Sequence, residues 1–345
     1  GFRIDEIKTL HDWHELLTAF AQRDDIRVPF ELTKTGMDAQ MLTTFNIPTG
    51  GGMQSWFRHV GDQVEFNFTS QDYFDYLTTM KQWNDEGILE SQWFGTTSAY
   101  GFDMGAIAEG DIACFRALGS QISLLNKQSD RKYKAVPSPL REGETGRYVT
   151  QCDGCFSRVE TDEVAITSSC RNPELCVRWL DVFFAEETFL INNYGIEGLT
   201  YEMVDGEPQY TDFMLNNPDG YNWENLIRTY GGKDISAYLY KWDAQVANQS
   251  EEVQQAYSKD GFDRYYDEDL YTLPMLSLTP EESERYGAAL NNIQTYVQEM
   301  AVKFINGTEA LTEASYAAYC EKIEKMEVQT CVDILQTAYA RFMNR

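Results

Sequence analysis

Apolar residues recur along this chain at three- and four-residue spacing, with short alternating runs between, so the pattern predicts helices separated by small strands. Thr9 followed by Asp12 forms a capping pattern, and Trp13, Leu16, Leu17 and Phe20 give one apolar face to a helix predicted over residues 10–22. An extended run from Ile26 to Leu32 comes next, and Thr49-Gly50-Gly51-Gly52 marks a loop that neither helix nor strand would hold. Val64-Glu65-Phe66-Asn67-Phe68 alternates as a strand does. Ser70 then caps a helix bearing Tyr73, Tyr76, Leu77, Met80 and Trp83, which Gly87 ends. A helix from Phe102 to Ala108 stops at Gly110, and Ile112-Ala113-Cys114-Phe115 starts a strand.

The most fully signalled helix opens at Asn172, with Pro173 and Glu174 in its first turn. Leu175, Trp179, Leu180, Phe183 and Phe184 share one face, which predicts a single helix laid on a core and terminated by Gly195. Residues 205–275 are rich in Tyr, Asn and Asp and read as short elements with long loops. Thr279-Pro280-Glu281-Glu282 is a capping box with proline at the first helical position; Tyr286, Leu290, Ile293, Val297, Met300 and Phe304 carry that helix to Asn306.

A chain of 345 residues with 43% apolar content has material for two lobes. Its 28 Lys plus Arg stand against 55 Asp plus Glu, a net charge of −27 that repels phosphate backbones and anionic lipid. Nucleic acid is therefore not an expected partner. Aromatic residues make up 14% of the chain. Most of those rings belong to the core, and the remainder suit sugar-stacking surfaces. No apolar run approaches the ~18 residues of a membrane span. The opening Gly1-to-Leu10 stretch has neither the basic start nor the apolar middle of a signal peptide.

The seven cysteines lie at 114, 152, 155, 170, 176, 320 and 331. Cys152 and Cys155 with Cys170 and Cys176 would make a four-thiolate zinc site, but the second pair lacks the tight knuckle; buried thiols or disulfides are the reading, with no metal. His11, His14 and His59 form no HExxH, and the first two read as a solvated helix face. GxSxG, P-loop, GxGxxG and kinase signatures are missing as well, so the usual sequence support for a covalent hydrolase or a nucleotide enzyme is lacking. Paired carboxylates about 5–10 Å apart suffice for a glycosidase. The abundance of acids thus leaves a glycoside hydrolase as an alternative, and a helical interaction protein without a small ligand as another.

The wording of residues 165–202, AITSSCRNPELCVRWLDVFFAEETFLINNYGIEGLTYE, resembles family 1 extracellular solute-binding proteins, the capture subunits of bacterial ABC sugar importers. The likeness extends to the helix ending in NDEGIL followed by AIAEGDIACF, to the long segment from Thr279 to Met326, and to the closing ILQTAYARF. It implies an α/β, helix-rich, two-lobed periplasmic-binding-protein-like (type II) architecture whose first lobe is incomplete. Residues 1–135 are then a second-lobe segment, 136–193 the return segment of the first lobe, and 194–345 the second-lobe remainder with the C-terminal helices. The prolines and polar turn of KAVPSPLREGETG, residues 134–146, suit a crossing between lobes. Members carry a long segment before the part that matches, so the chain is expected to begin in mid-protein.

The same resemblance implies extracellular capture of an oligosaccharide by lobe closure without catalysis or cofactor. The partners would be the transmembrane permease subunits of an ABC importer. The protein would be a monomer, and either periplasmic or an extracellular lipoprotein anchored to the membrane. Many relatives carry an Asp- and Asn-rich loop where this chain reads AQRDDIRVPF, so calcium is not expected there. By position, the turn after IACF supplies Phe115, Arg116, Ser120 and Gln121 as ligand-binding candidates; Arg116 suits a carboxylate, which hints at an acidic or decorated glycan. Trp56 after the glycine loop reads as a ligand platform or a cap on the core. Tyr194 and Glu197 at the exit of the long helix, and Asp153 in the Cys-Asp-Gly-Cys turn, complete the candidate set. Trp223 and Trp242 read as core.

Overall fold

The computed structural model describes residues 2–3, 6–32, 39–48, 56–90, 93–95, 104–115, 117, 121–146, 164–221, 223–231, 246–256, 258 and 271–344. In chain order, α1 (Leu10–Ala21) leads to β1 (Val28–Phe30), α2 (Ala39–Thr44) and a hairpin of β2 (Phe57–Val60) and β3 (Gln63–Phe66). Next come α3 (Gln71–Asp85), α4 (Met104–Glu109), β4 (Ile112–Cys114) and α5 (Ile122–Gln128). After these stand α6 (Pro173–Asp181), α7 (Glu186–Tyr194), a second hairpin of β5 (Tyr201–Val204) and β6 (Glu207–Tyr210), α8 (Asp212–Leu215), α9 (Trp223–Tyr230) and α10 (Glu251–Ala256). Three terminal helices close the chain: α11 (Pro280–Ile305), α12 (Glu313–Glu324) and α13 (Val328–Met343).

The predicted caps form. The Thr9 hydroxyl accepts from Asp12 N at 3.2 Å while Thr9 N donates to the Asp12 carboxylate at 2.9 Å, and the box between Thr279 and Glu282 repeats this at 3.2 and 2.8 Å. Ser70 accepts from Tyr73 N at 3.2 Å to start α3. One strand ends sooner than its alternation predicts. Residues 67–69 turn into a 3-10 helix, because the Asn67 carbonyl takes the Ser70 amide at 3.3 Å and the Ser70 hydroxyl at 2.6 Å. The glycine loop from Thr49 to Gly52 lies outside the described residues.

The chain divides into two compact units. The first comprises Gly1–Ala117, Val136–Asp153 and Phe262–Arg345. Parallel strands β1 and β4 pair Val28 with Ile112 and Phe30 with Cys114. Phe30 meets the edges of Trp13 and Trp83 at 6.5 and 5.7 Å between ring centroids, which seats α1 and α3 on this strand pair. Helix α3 buries the predicted face of Tyr73, Tyr76, Leu77, Met80 and Trp83, and Ile293, Val297 and Phe304 of α11 join the same core. Helix α12 locks onto the turn before α3 as the Tyr319 hydroxyl donates to Phe68 O at 2.9 Å and that of Tyr316 to Ser70 O at 2.7 Å.

A charged network ties the returning segment to this unit. Buried Arg58 donates to Asp72 at 2.6 Å, Arg141 donates to the other oxygen of Asp72 at 2.8 Å, and Arg141 also pairs with Glu144 at 2.7 Å. Leu140 exchanges backbone bonds with Leu10 and Lys8 at 2.9 and 2.8 Å.

The second unit comprises Leu118–Ala135 and Gly154–Gly261. Its core is Tyr194, Tyr201, Tyr210, Met214, Trp223, Leu226 and Ile227. Helix α5 belongs here because the Lys127 ammonium donates to the Asn216 side chain at 2.6 Å, and Gln255 of α10 donates to Ala135 O at 3.2 Å. These contacts divide the chain differently from the bounds expected at 1–135, 136–193 and 194–345. Asn216 and Gln255 bond to Lys127 and Ala135, whereas Leu140 and Arg141 bond to the start of α1 and to Asp72 of α3.

The helix expected from Asn172 to Gly195 is broken. Asn172 caps α6 by accepting from Leu175 N at 3.2 Å, but Val182–Phe184 form a 3-10 turn and Ala185 is extended at φ −72°, ψ 149°. A β-branched and aromatic run has weak helix propensity, and the Thr188 hydroxyl takes the freed Ala185 carbonyl at 2.9 Å. Nor does the apolar face of α6 lie on a core. Leu175 is 60% exposed and Trp179 55%, and Phe184 in the turn that follows is 48% exposed.

Candidate ligand-binding site

In open α/β sheets, ligands gather outside the carboxyl ends of the strands. Phe115 stands at such an end, directly after β4, and is half-buried. Beside it, Glu31 follows β1, and its amide donates to Cys114 O at 2.9 Å. Two residues beyond Phe115, at Ala117, the chain leaves the first unit. The segment thus offers an aromatic ring and a carboxylate on adjoining strand ends. Glu31 was not among the sequence candidates; recognising Ile26-to-Leu32 and Ile112-to-Phe115 as parallel partners would have set it beside Phe115. Arg116, Ser120 and Asp153 lie outside the described residues. Gln121, half-buried, immediately precedes α5 in the second unit.

Trp56 has its ring inside the first unit. It is 8% exposed, its centroid is 4.6 Å from that of Phe68, and it stacks on Phe66 at 6.3 Å and 17°. A pyranose needs an open ring face. Trp56 is almost wholly withdrawn from solvent, so the core cap, and not the ligand platform, describes its packing.

Tyr194 is corrected in the same way. It is 2% exposed and sits among Tyr201, Tyr210 and Phe189 at 5.9, 5.4 and 6.5 Å. Burial, with the Glu207 carboxylate adding to it, raises its phenol above the ordinary range. Glu197 is exposed and bridges by its backbone to Tyr201. The Tyr-Gly-Ile-Glu-Gly exit is therefore largely architectural. Gly195 ends α7 at φ 87°, and the Thr200 hydroxyl donates to Tyr194 O at 2.6 Å while accepting from Ile196 N at 2.7 Å.

A pocket of about 60 Å³ lies within the second unit, lined among others by Lys127, Asn217, Tyr221, Trp223 and Ser250. Trp223 is buried in the core cluster, as its sequence context suggested, and Tyr221 is exposed. Trp242 lies outside the described residues. Among the described residues, no group of three or more His, Cys, Asp and Glu is arranged to hold a metal ion, and no helix is long and apolar enough to cross a membrane.

No family profile matches the chain. Lipoprotein LipO of Bacillus subtilis (strain 168) is 24% identical over 225 residues, covering 62% of this chain and 44% of the relative. The chain thus spans less than half the length of that curated relative. Among solved structures, the alginate-binding protein AlgQ2, crystallised without calcium ion, aligns with a TM-score of 0.73 at 17% identity over 96% of this chain and 68% of the other. A human-milk-oligosaccharide (HMO) binding, ABC-transporter-associated solute-binding protein from Bifidobacterium longum infantis gives 0.69 at 17% identity over 96% and 69%. The Streptococcus pneumoniae ABC-transporter substrate-binding protein FusA, in complex with kestose, gives 0.65 at 14% identity over 100% and 70%. The fold is that of the two-lobed solute-binding proteins, α/β and rich in helix.

Proposed function

We propose that the protein captures an oligosaccharide outside the cell for import by an ABC transporter, binding it by lobe closure without breaking a bond. The observation that carries this reading is the fold shared along 96% of the chain with proteins whose names give alginate and milk oligosaccharides as what they bind. Ligand contacts are assigned to Phe115, with Glu31 beside it, and to Arg116, Ser120, Gln121, Asp153 and Glu197. Phe115 offers a face for a pyranose ring and Arg116 a charge-assisted pair for a carboxylate or vicinal hydroxyls. The permease of the importer is the macromolecular partner, the protein acts as a monomer, and a lipid anchor like the one implied by the name of LipO would hold it at the membrane.

The test is a thermal melt of the purified protein across a glycan panel that includes uronic acids. A bound glycan raises the melting temperature by mass action, by the equivalent of about 2.7 kcal/mol at a hundredfold excess over Kd. Phe115→Ala and Arg116→Ala are each expected to weaken that binding by roughly 1–3 kcal/mol with little change in the unliganded melt. Release of new reducing ends from any glycan would overturn the reading in favour of a hydrolase.

A further inference from the structure

Cys170 and Cys176 place their sulfurs 3.4 Å apart, in van der Waals contact, and both side chains are half-buried. The backbone between them is already fixed. Cys170 N donates to Thr167 O at 3.0 Å in the turn before α6, the Asn172 side chain accepts from Leu175 N at 3.2 Å, and Cys176 N donates to Asn172 O at 3.3 Å in the first helical turn. Cys320 and Cys331 are differently placed. The Cys320 and Cys331 thiols donate to Thr69 O and Tyr286 O, and burial pushes each up to about 11, where the reactive thiolate is scarce at neutral pH.

Helix α6 needs a brace. It spans nine residues and buries none of its side chains, and a helix this short is marginal in water without a packed face. From the sulfur contact and the unburied helix we infer that Cys170 and Cys176 form a disulfide that staples the turn at Thr167–Cys170 to the first turn of α6. The pairing requires only that the sulfurs close to the ~2.05 Å of a bond, within a backbone already held in place. The oxidant is a low-molecular-weight disulfide. One cysteine thiolate attacks it and expels a small thiol, and the second cysteine attacks the mixed disulfide and expels the other. Two electrons and two protons thus pass from the protein to the oxidant, one disulfide forms and one is reduced. The hydrogen shared with Cys170 raises the Cys176 thiol, so the exchange quickens in mildly alkaline buffer.

The experiment uses the purified native chain, incubated with oxidised glutathione or with dithiothreitol, alkylated, and digested with trypsin without reduction. Cleavage after Arg171 and Arg178 puts Cys170 and Cys176 on separate peptides, 159–171 and 172–178, which only a disulfide can hold together. Oxidation is expected to yield that linked pair at a mass about 2 Da below the sum of the two reduced peptides. Cys320 and Cys331 are expected to resist alkylation until the protein unfolds. In limited proteolysis, cleavage at Arg178 is expected to slow several-fold in the oxidised protein, and Cys170→Ser is expected to remove both the crosslink and the protection. Cys170 or Cys176 linked instead to Cys152 or Cys155, both alkylated after oxidation, or an equal cleavage rate in the two redox states would each overturn the inference.

Discussion

At Gly195 the backbone holds φ 87° and ψ −123°, a region that side chains avoid, and an added Cβ would come 2.5 Å from the Thr200 hydroxyl. That hydroxyl joins the end of α7 to the turn before β5, so it has no freedom to yield. Gly195→Ala is expected to cost on the order of 1–3 kcal/mol from backbone strain before the clash is added. A urea melt read from the tyrosine-rich second unit checks this, and an unchanged midpoint would contradict the reading of the motif. Trp56 makes the complementary case. With its ring packed against Phe66 and Phe68, Trp56→Ala is expected to lose roughly 3–5 kcal/mol of stability, with ligand affinity unaltered in the folded fraction. A near-native melt with weakened binding would return the residue to the ligand site.

Among the elements, the starts of helices were legible, whereas burial of an apolar face was legible for α3 and not for α6. Caps are local: Thr9 with Asp12, Ser70, Asn172, and Thr279 with Glu282 each act within three residues, so the sequence alone contains both partners. The face of α6 reads the same on paper as the face of α3, yet one meets solvent and the other Phe30, Phe45 and Phe68. What covers a face is decided by distant segments. The bidentate pair from Arg341 of α13 to Glu282 of α11, at 2.7 Å on both oxygens, is likewise out of reach of local reading. Together with the Thr279 amide it lowers the Glu282 carboxyl from 4.5 to about 2. A carboxyl depressed in the folded state contributes its stability in full above pH 4.5 and loses it as the pH falls towards about 2. Arg341→Ala is expected to move the Glu282 titration, followed by carboxyl NMR, back towards 4.5 and to raise the pH of acid unfolding. A titration that stays near 2 would mean that the Thr279 amide alone is sufficient.

For the whole molecule, the order of elements carried the fold class, but the division into units depends on contacts across long stretches of chain. Lys127 reaching Asn216, and Gln255 reaching Ala135, gather residues 118–135 with 154–261, and no periodicity encodes those meetings. The candidate site was legible in part for the same reason. Phe115 follows a strand that reads clearly from its sequence, whereas Glu31 becomes its neighbour only through the parallel pairing of β1 with β4. Tyr194, chosen for its place in a recognisable motif, proved to be core, because the motif there serves to end a helix. The central claim is capture without chemistry, and recovery of the bound glycan tests it most directly. Purified protein is held on a glycan panel, washed, denatured, and the released ligand weighed by mass spectrometry. The account predicts one oligosaccharide class returned at its original mass in a one-to-one ratio with protein; a shortened glycan, or none retained from neutral and acidic oligosaccharides alike, would contradict it.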